Sequence, residues 1–224
     1  MLDKINKTMK MFLVFFILLP FSSLLLGQDT TYTSVTKQLL AIDELDQLYR
    51  NQINDVEVKY GGDSKEMKDL FKKMEVTDSL NLVQVEAILQ KYGWLETQKI
   101  GSEANTALFM VIQHADLKNQ IHYLPLMREA VRNGKAKASS LALLEDRVAL
   151  RSGKKQIYGS QISWNMKTNT SFVAPLEDPD NVDKRRAEVG LPPLADYLIN
   201  MKWDVDQYKK DLPLLEAEFF KLKK

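Results

Sequence analysis

The sequence predicts a mainly α-helical protein: a compact multi-helix domain with one small β-hairpin, preceded by a signal peptide. Three observations carry that reading. Apolar residues recur at three- and four-residue spacing through most of residues 37–204. The period shortens only near residues 156–175, where β-favouring side chains cluster between turn residues. A basic head followed by an apolar run occupies residues 1–27.

In that leader, Lys4, Lys7 and Lys10 precede the run Met11 to Gly27, which Pro20, Ser22 and Ser23 interrupt. The pattern predicts export, with cleavage after Gly27 and a periplasmic or secreted mature protein. The alternative is an uncleaved membrane anchor, since the run approaches the roughly 20 residues that span a bilayer. No cysteine follows it, which excludes lipid attachment there, and the absence of any cysteine excludes disulfides and thiolate chemistry. Of 31 basic and 30 acidic residues, three lysines and Asp3 lie in the leader, leaving 28 and 29. That balance gives no footprint for nucleic acid and no stable membrane insertion after cleavage. No cofactor motif is present.

Residues 28–36 read as a short flexible lead. A helix from about Ser34 to Lys59 then carries Leu39, Ile42, Leu45, Tyr49, Ile53 and Val56, with Asp46 and Arg50 in or beside that stripe. Gly61-Gly62 breaks the chain. Two amphipathic blocks follow, Met67 to Met74 and Leu82 to Leu89, and Thr77-Asp78-Ser79 suggests a kink or a fresh helix start between them. Tyr92-Gly93-Trp94 ends this region. Gly101-Ser102 opens the central helix, whose apolar surface (Leu108, Phe109, Met110, Val111, Ile112) nearly encircles it, so it is expected to be buried.

The pattern resumes from Ile121 to Val131, with Pro125 marking a kink or a start. Ser139 or Ser140 is expected to cap the next helix, Leu141 to Arg151, on which Arg147 falls between Leu143 and Leu144. The hairpin takes in Ile157, Tyr158, Ile162, Trp164, Phe172 and Val173, turning at Lys167-Thr168-Asn169. Short helices through Arg185-Arg186 and from Leu194 precede an amphipathic strap at residues 205–224, expected to break at Pro213.

The chemistry-bearing residues are few. The central helix ends in Gln113-His114-Ala115-Asp116, polar groups that need partners if buried. His114 and Asp116 lie about 200° apart on a regular helix, so they cannot grip one metal, and His122 is about 12 Å further along a continuous helix. No metal site is expected. His114 instead suits a proton shuttle, with Asp46 or Asp116 orienting it. A core histidine satisfied by Asp46, Asp146 or a carbonyl is the other reading. In Gln156-Ile157-Tyr158-Gly159-Ser160-Gln161, alternation would aim Gln156 and Tyr158 together, with Gln161 re-aimed at Gly159. These neutral groups read a polar ligand or satisfy loop backbone. Arg185 offers a bidentate site for a carboxylate or phosphate.

Together, Asp46-Gln47-Leu48-Tyr49-Arg50, Gln113-His114-Ala115-Asp116, Asp146-Arg147, Gln156 to Gln161 and Arg185-Arg186 resemble the ordered words of a domain family of unknown function. That family is bacterial and common in Bacteroidetes-like sequences, and the likeness spans roughly Leu39 to Tyr197. It implies one shared constellation and no particular reaction. Asp46, Arg50, His114, Asp116, Arg147, Gln156 and Tyr158 carry polar chemistry at positions assigned to apolar or nearly apolar faces, and they are expected to converge in one pocket, with Gln113, Gln161 and Arg185 as further ligand contacts. Two functions remain open: an envelope hydrolase or lyase, or a non-catalytic module binding a small polar ligand or cell-envelope component.

Overall fold

A helix with apolar positions three and four apart must bury one stripe, and that requirement builds the body of this protein. The computed structural model describes residues 22–165, 170–198 and 204–221. The first helix, α1 (Ser22–Arg50), buries Val35, Leu39, Ile42 and Asp46 along one face. Residues 28–36 are thus helix and not a flexible lead. Thr and Asp are weak helix formers, but burying Val35, with Thr36 Oγ1 donating to Ile100 O at 3.4 Å, outweighs their propensity. Most of the expected leader, residues 1–21, lies outside the described residues. Among those described, no helix is long and apolar enough to cross a membrane.

The helix expected to reach Lys59 is interrupted at Asn51-Gln52. Arg50 is drawn inward there by two carboxylates, and a short α2 (Ile53–Tyr60), with no buried residue, follows. Ser64 caps α3 (Lys65–Tyr92), its Oγ accepting from Met67 N at 3.1 Å. This helix does not break at Thr77-Asp78-Ser79. Ser79 Oγ donates back to Glu75 O at 2.9 Å instead of capping, and Asp78 turns towards α1.

The central helix, α4 (Thr97–His114), is broken at Gly101, where φ of 81° and ψ of 162° leave the helical region. Beyond it, Ala104, Ala107, Leu108, Val111 and Ile112 lie in the main core. After one intervening residue, Asp116 starts α5 (Leu117–Arg132) as its N-cap, Oδ1 accepting from Asn119 N at 2.8 Å. Pro125 sits inside α5 without ending it. The carbonyl its ring deprives of a partner belongs to Ile121, which is exposed to water. The next helix, α6 (Ala138–Arg151), begins a turn earlier than expected. Lys137 is its N-cap residue, so Ser139 and Ser140 lie inside it. The core is where α4 meets α1, α3, α5 and α6.

Beyond α6 the chain adds a smaller layer. The hairpin pairs β1 (Ile162–Asn165) with antiparallel β2 (Thr170–Val173), Ile162 opposite Val173 and Trp164 opposite Ser171. The expected turn at Lys167-Thr168-Asn169 lies outside the described residues. A 3-10 turn (Pro179–Asn181), α7 (Val182–Glu188) and α8 (Leu194–Tyr197) follow. The final helix, α9 (Val205–Lys221), runs through Pro213 unbroken, the carbonyl four residues back belonging to exposed Lys209. Val173, Leu176, Val182, Leu194, Leu198 and Tyr208 form a second core. Tyr208 Oη donates to Ala174 O at 2.9 Å, and Lys155 pairs with Glu216 at 2.6 Å, so α9 straps the hairpin to the body.

Residues 156–161 form a loop between the two cores, and Asp146 organises it. Its carboxylate is fully buried and accepts from Ile157 N at 2.6 Å, Tyr158 N at 3.0 Å and Ser160 N at 3.0 Å. Burial pushes the carboxyl above the usual range, although the Ser160, Tyr158 and Ile157 N–H groups pull it back down. Asp146→Ala deprives three N–H groups of one acceptor. The expected loss is about 2–4 kcal/mol in a urea melt. A loss below about 1 kcal/mol would show that the loop holds without this carboxylate.

Candidate functional site

Asp46 occupies a position on α1 whose helical neighbours, Leu39 and Ile42, are core residues, and it is 1% exposed. A carboxylate there must be paired and hydrogen-bonded. His114 Nδ1, from the end of α4, lies 2.8 Å from its Oδ1. Arg50 Nη1 donates to the same oxygen at 3.2 Å and to Asp46 O at 2.6 Å, while Gln47 Nε2 donates to Oδ2 at 2.7 Å. The other terminal nitrogen of Arg50 donates to Asp78 Oδ2 at 2.7 Å, drawing in α3. One guanidinium thus bridges two carboxylates, and one of those carboxylates orients an imidazole.

The remaining ring nitrogen of His114, Nε2, has no hydrogen-bond partner among the described residues. His114 lies on the wall of a cleft of about 430 Å³ between α3, the α4–α5 corner and α6. Asp78, Glu75, Ser79, Asp116, Asn119 and Arg151 supply its polar lining, and Phe71, Met74 and Leu82 the apolar part. With Asp46 ionised, Nδ1 carries the proton and donates it to Asp46. Nε2 is then left with a lone pair that can take a proton from a bound molecule.

Two arginines of α6 fix this corner. Helix ends leave carbonyls unpaired, and only Ala115 lies between the end of α4 and the N-cap of the next helix. Arg147 Nη1 donates to Gln113 O at 2.9 Å and Arg151 Nη1 to Ala115 O at 2.8 Å, flanking His114 on both sides. Gln120 Nε2 also reaches Gln113 O at 2.7 Å. Arg147 Nε donates to Gln161 Oε1 at 2.9 Å. Burial, then the charges of Arg151 and Arg50, push the Arg147 guanidinium down to about 10, so it stays charged at neutral pH.

Asp46, Arg50 and His114 therefore meet directly. Gln113, Arg147 and Gln161 form a hydrogen-bonded chain that begins at the residue before His114. Other expected ligand contacts are placed differently. Gln156 is fully buried, its amide spent on Gln161 O, Ala174 O and Gln161 N, because the chain around it is loop and not strand. Tyr158 gives its backbone N–H to Asp146 and is absent from the cleft lining. Arg185 holds the carbonyls of Ile157, Glu177 and Asp178, and the fully buried arginine of that pair is Arg186, bonded to Pro192 O and Tyr158 O. Asp116 lies at the cleft, but its Oδ1 caps α5 and the residue makes no bond to His114.

Asp78 and Arg151 were not singled out by sequence reasoning. Asp78 falls between Met74 and Leu82 at four-residue spacing, so it stands on the apolar face of α3, the same signal that marked Asp46. Arg151 lies four residues beyond Arg147, on the same face of α6. Single ligand atoms of Asp46, Asp78 and His114 come within 4.8 Å of one another, a spacing that suits a metal ion. Arg50 is bonded to both carboxylates, however, so a cation there would have to displace a guanidinium already neutralising the pair.

Among known families, the model of a family of unknown function, DUF6624, matches residues 33–209. No curated protein and no solved structure matches the chain.

The network ranks two substitutions. Arg50→Ala leaves the carboxylates of Asp46 and Asp78 facing each other without their bridge, and should cost about 3–5 kcal/mol. His114→Ala leaves Asp46 still bonded to Arg50 and Gln47, and should cost no more than about 2 kcal/mol. Denaturant melts of both variants measure the order. A reversed order, or a His114→Ala loss above about 3 kcal/mol, would make His114 a core-packing residue.

Proposed function

The chain belongs to the DUF6624 family, and we propose that its His114 cleft is the active site of a hydrolase or lyase. The observation that supports this most is the state of the imidazole. One nitrogen is held by a buried carboxylate, and the other, at the wall of a solvent-reaching cleft, has no partner among the described residues. A histidine serving only the core would have both nitrogens satisfied inside. In the proposed reaction Nε2 removes a proton from water or from the substrate and later returns it to the leaving group. Asp46 keeps the ring in the reactive tautomer and stabilises the imidazolium formed in between. Arg151, on the same cleft, is the cation placed to stabilise developing negative charge.

The ligand in this reading is a small polar molecule or a cell-envelope fragment. Polar groups line the cleft alongside Phe71, Met74 and Leu82, and the basic-then-apolar N-terminus supports export to the envelope. A non-catalytic binding module is the second reading. It is favoured by the fact that Asp46 is already fully hydrogen-bonded by Gln47, Arg50 and His114 without any ligand.

The test is a panel of model esters, amides, glycosides and phosphoesters, with elimination monitored alongside hydrolysis. Any turnover by the wild type should fall by about 10²–10⁴ in His114→Ala, the usual contribution of a general acid–base group. Equal turnover by the variant would remove His114 from the mechanism. Binding without turnover would leave the module reading. Export is tested separately, by mass spectrometry of protein isolated from cells that express it natively. The expected N-terminus is Gln28, and a chain beginning at Met1 in the membrane fraction would establish the anchor instead.

A further inference from the structure

Arg147 and Arg151 have a second role open to them. The bonds to α4 use only part of each guanidinium: Nη2 of Arg147, and Nε and Nη2 of Arg151, make no hydrogen bond among the described residues. Arg50, Arg128 and Arg185 each pair with a carboxylate, whereas among the described residues these two donate only to neutral oxygens. The carboxylates that act on them from a distance each have one oxygen engaged elsewhere. Asp78 acts on Arg147 but is bonded to Arg50, and Asp116 acts on Arg151 but caps α5. Like charges four residues apart on a helix repel each other, and the partial burial of Arg147, though not of exposed Arg151, adds to that cost.

Both arginines line a pocket of about 340 Å³ between α6 and β1, distinct from the His114 cleft except for Arg151, which borders the two. Gln161 and Ser163 add neutral hydrogen-bonding groups, while Ala174 and Phe219 provide apolar walls. Two guanidiniums with unspent donors, in no ion pair among the described residues and facing one cavity, match the chemistry of a carboxylate or phosphate oxygen pair. We propose that this pocket binds an anionic group, carboxylate or phosphate, on Arg147 and Arg151. Capping α4 needs one N–H from each arginine, so the two tasks do not compete. The site stands on its own geometry and does not depend on His114 acting as a proton shuttle.

Calorimetric titration of the full chain with inorganic phosphate, and separately with succinate, at fixed ionic strength tests this. Saturable binding of one ion is expected, and which of the two binds names the class. Arg151→Gln should weaken binding about tenfold or more, and Arg151→Lys, which keeps the charge but not the fork, should weaken it less. His114→Ala should bind as the wild type does, so failure of the proposed catalysis leaves this result standing. If Arg151→Gln does not fold, the decision passes to Arg151→Lys, where unchanged affinity overturns the proposal. It is also overturned if neither ion binds saturably below about 10 mM, or if Arg151→Gln binds both as tightly as wild type.

Discussion

The carboxylate of Asp46 sets the terms for the helices around it. A charge taken out of water at the meeting of α1, α3 and α4 is tolerated only if its lone pairs are met by donors. Gln47 and Arg50 come from its own helix, and His114 arrives from the end of α4. Arg50 then requires a second acid, which α3 provides in Asp78. These bonds fix the rotation of three helices at once, something apolar packing alone specifies less tightly. They also account for the shape of α3. With Asp78 turned inward to reach Arg50, the Thr77-Asp78-Ser79 triplet is not available as a cap, and the helix continues through it.

The corner after α4 follows from a second constraint. Only Ala115 separates His114 from the N-cap Asp116, so the last carbonyls of α4 have no continuing helix to bond. Arg147 and Arg151 meet those carbonyls with positive charge at the negative end of the helix dipole. The imidazole thus sits between two arginine-held carbonyls on one side and a buried carboxylate on the other. Its position follows from the backbone around it as well as from its own hydrogen bond. Such support is what a group needs if it is to hold one orientation towards a ligand.

Much of this was legible in the sequence because helical periodicity exposes polar residues in apolar positions. Asp46 within the Leu39–Ile53 stripe, Arg50 one turn later and His114 at the end of an all-round apolar helix were visible in that way. Asp78 carried the same mark, but its neighbours Thr77 and Ser79 resemble a capping sequence, and local chemistry masked the spacing. The loop at 156–161 was illegible for a different reason. A strand sends successive N–H groups to opposite edges, yet Asp146 collects those of Ile157, Tyr158 and Ser160 on one carboxylate. No alternation survives that, so Gln156 and Tyr158 part company. Nor does a run of two arginines reveal which one is buried. The rotation of a seven-residue helix is set by tertiary packing, here the bonds of Arg186 to Pro192 O and Tyr158 O.

One turn of α6 ties the two cores together. Asp146 and Arg147 are adjacent and point about 100° apart, so a single pair of residues faces two ways. Asp146 holds the loop backbone, and Arg147 holds both the Gln161 amide and the carbonyl preceding His114. Gln161 is in turn gripped at its N–H by Gln156 Oε1, and Gln156 is anchored on Ala174 O, the first carbonyl after β2. The path from the hairpin to the α4 terminus therefore runs through hydrogen bonds between named groups, with no apolar gap to absorb a shift. The small C-terminal layer, with α9 strapped over it through Tyr208, is then the outer support of the His114 corner. Displacing that loop would release Gln161, and with it one of the two bonds that hold Arg147 in place, the other being the one to Gln113 O.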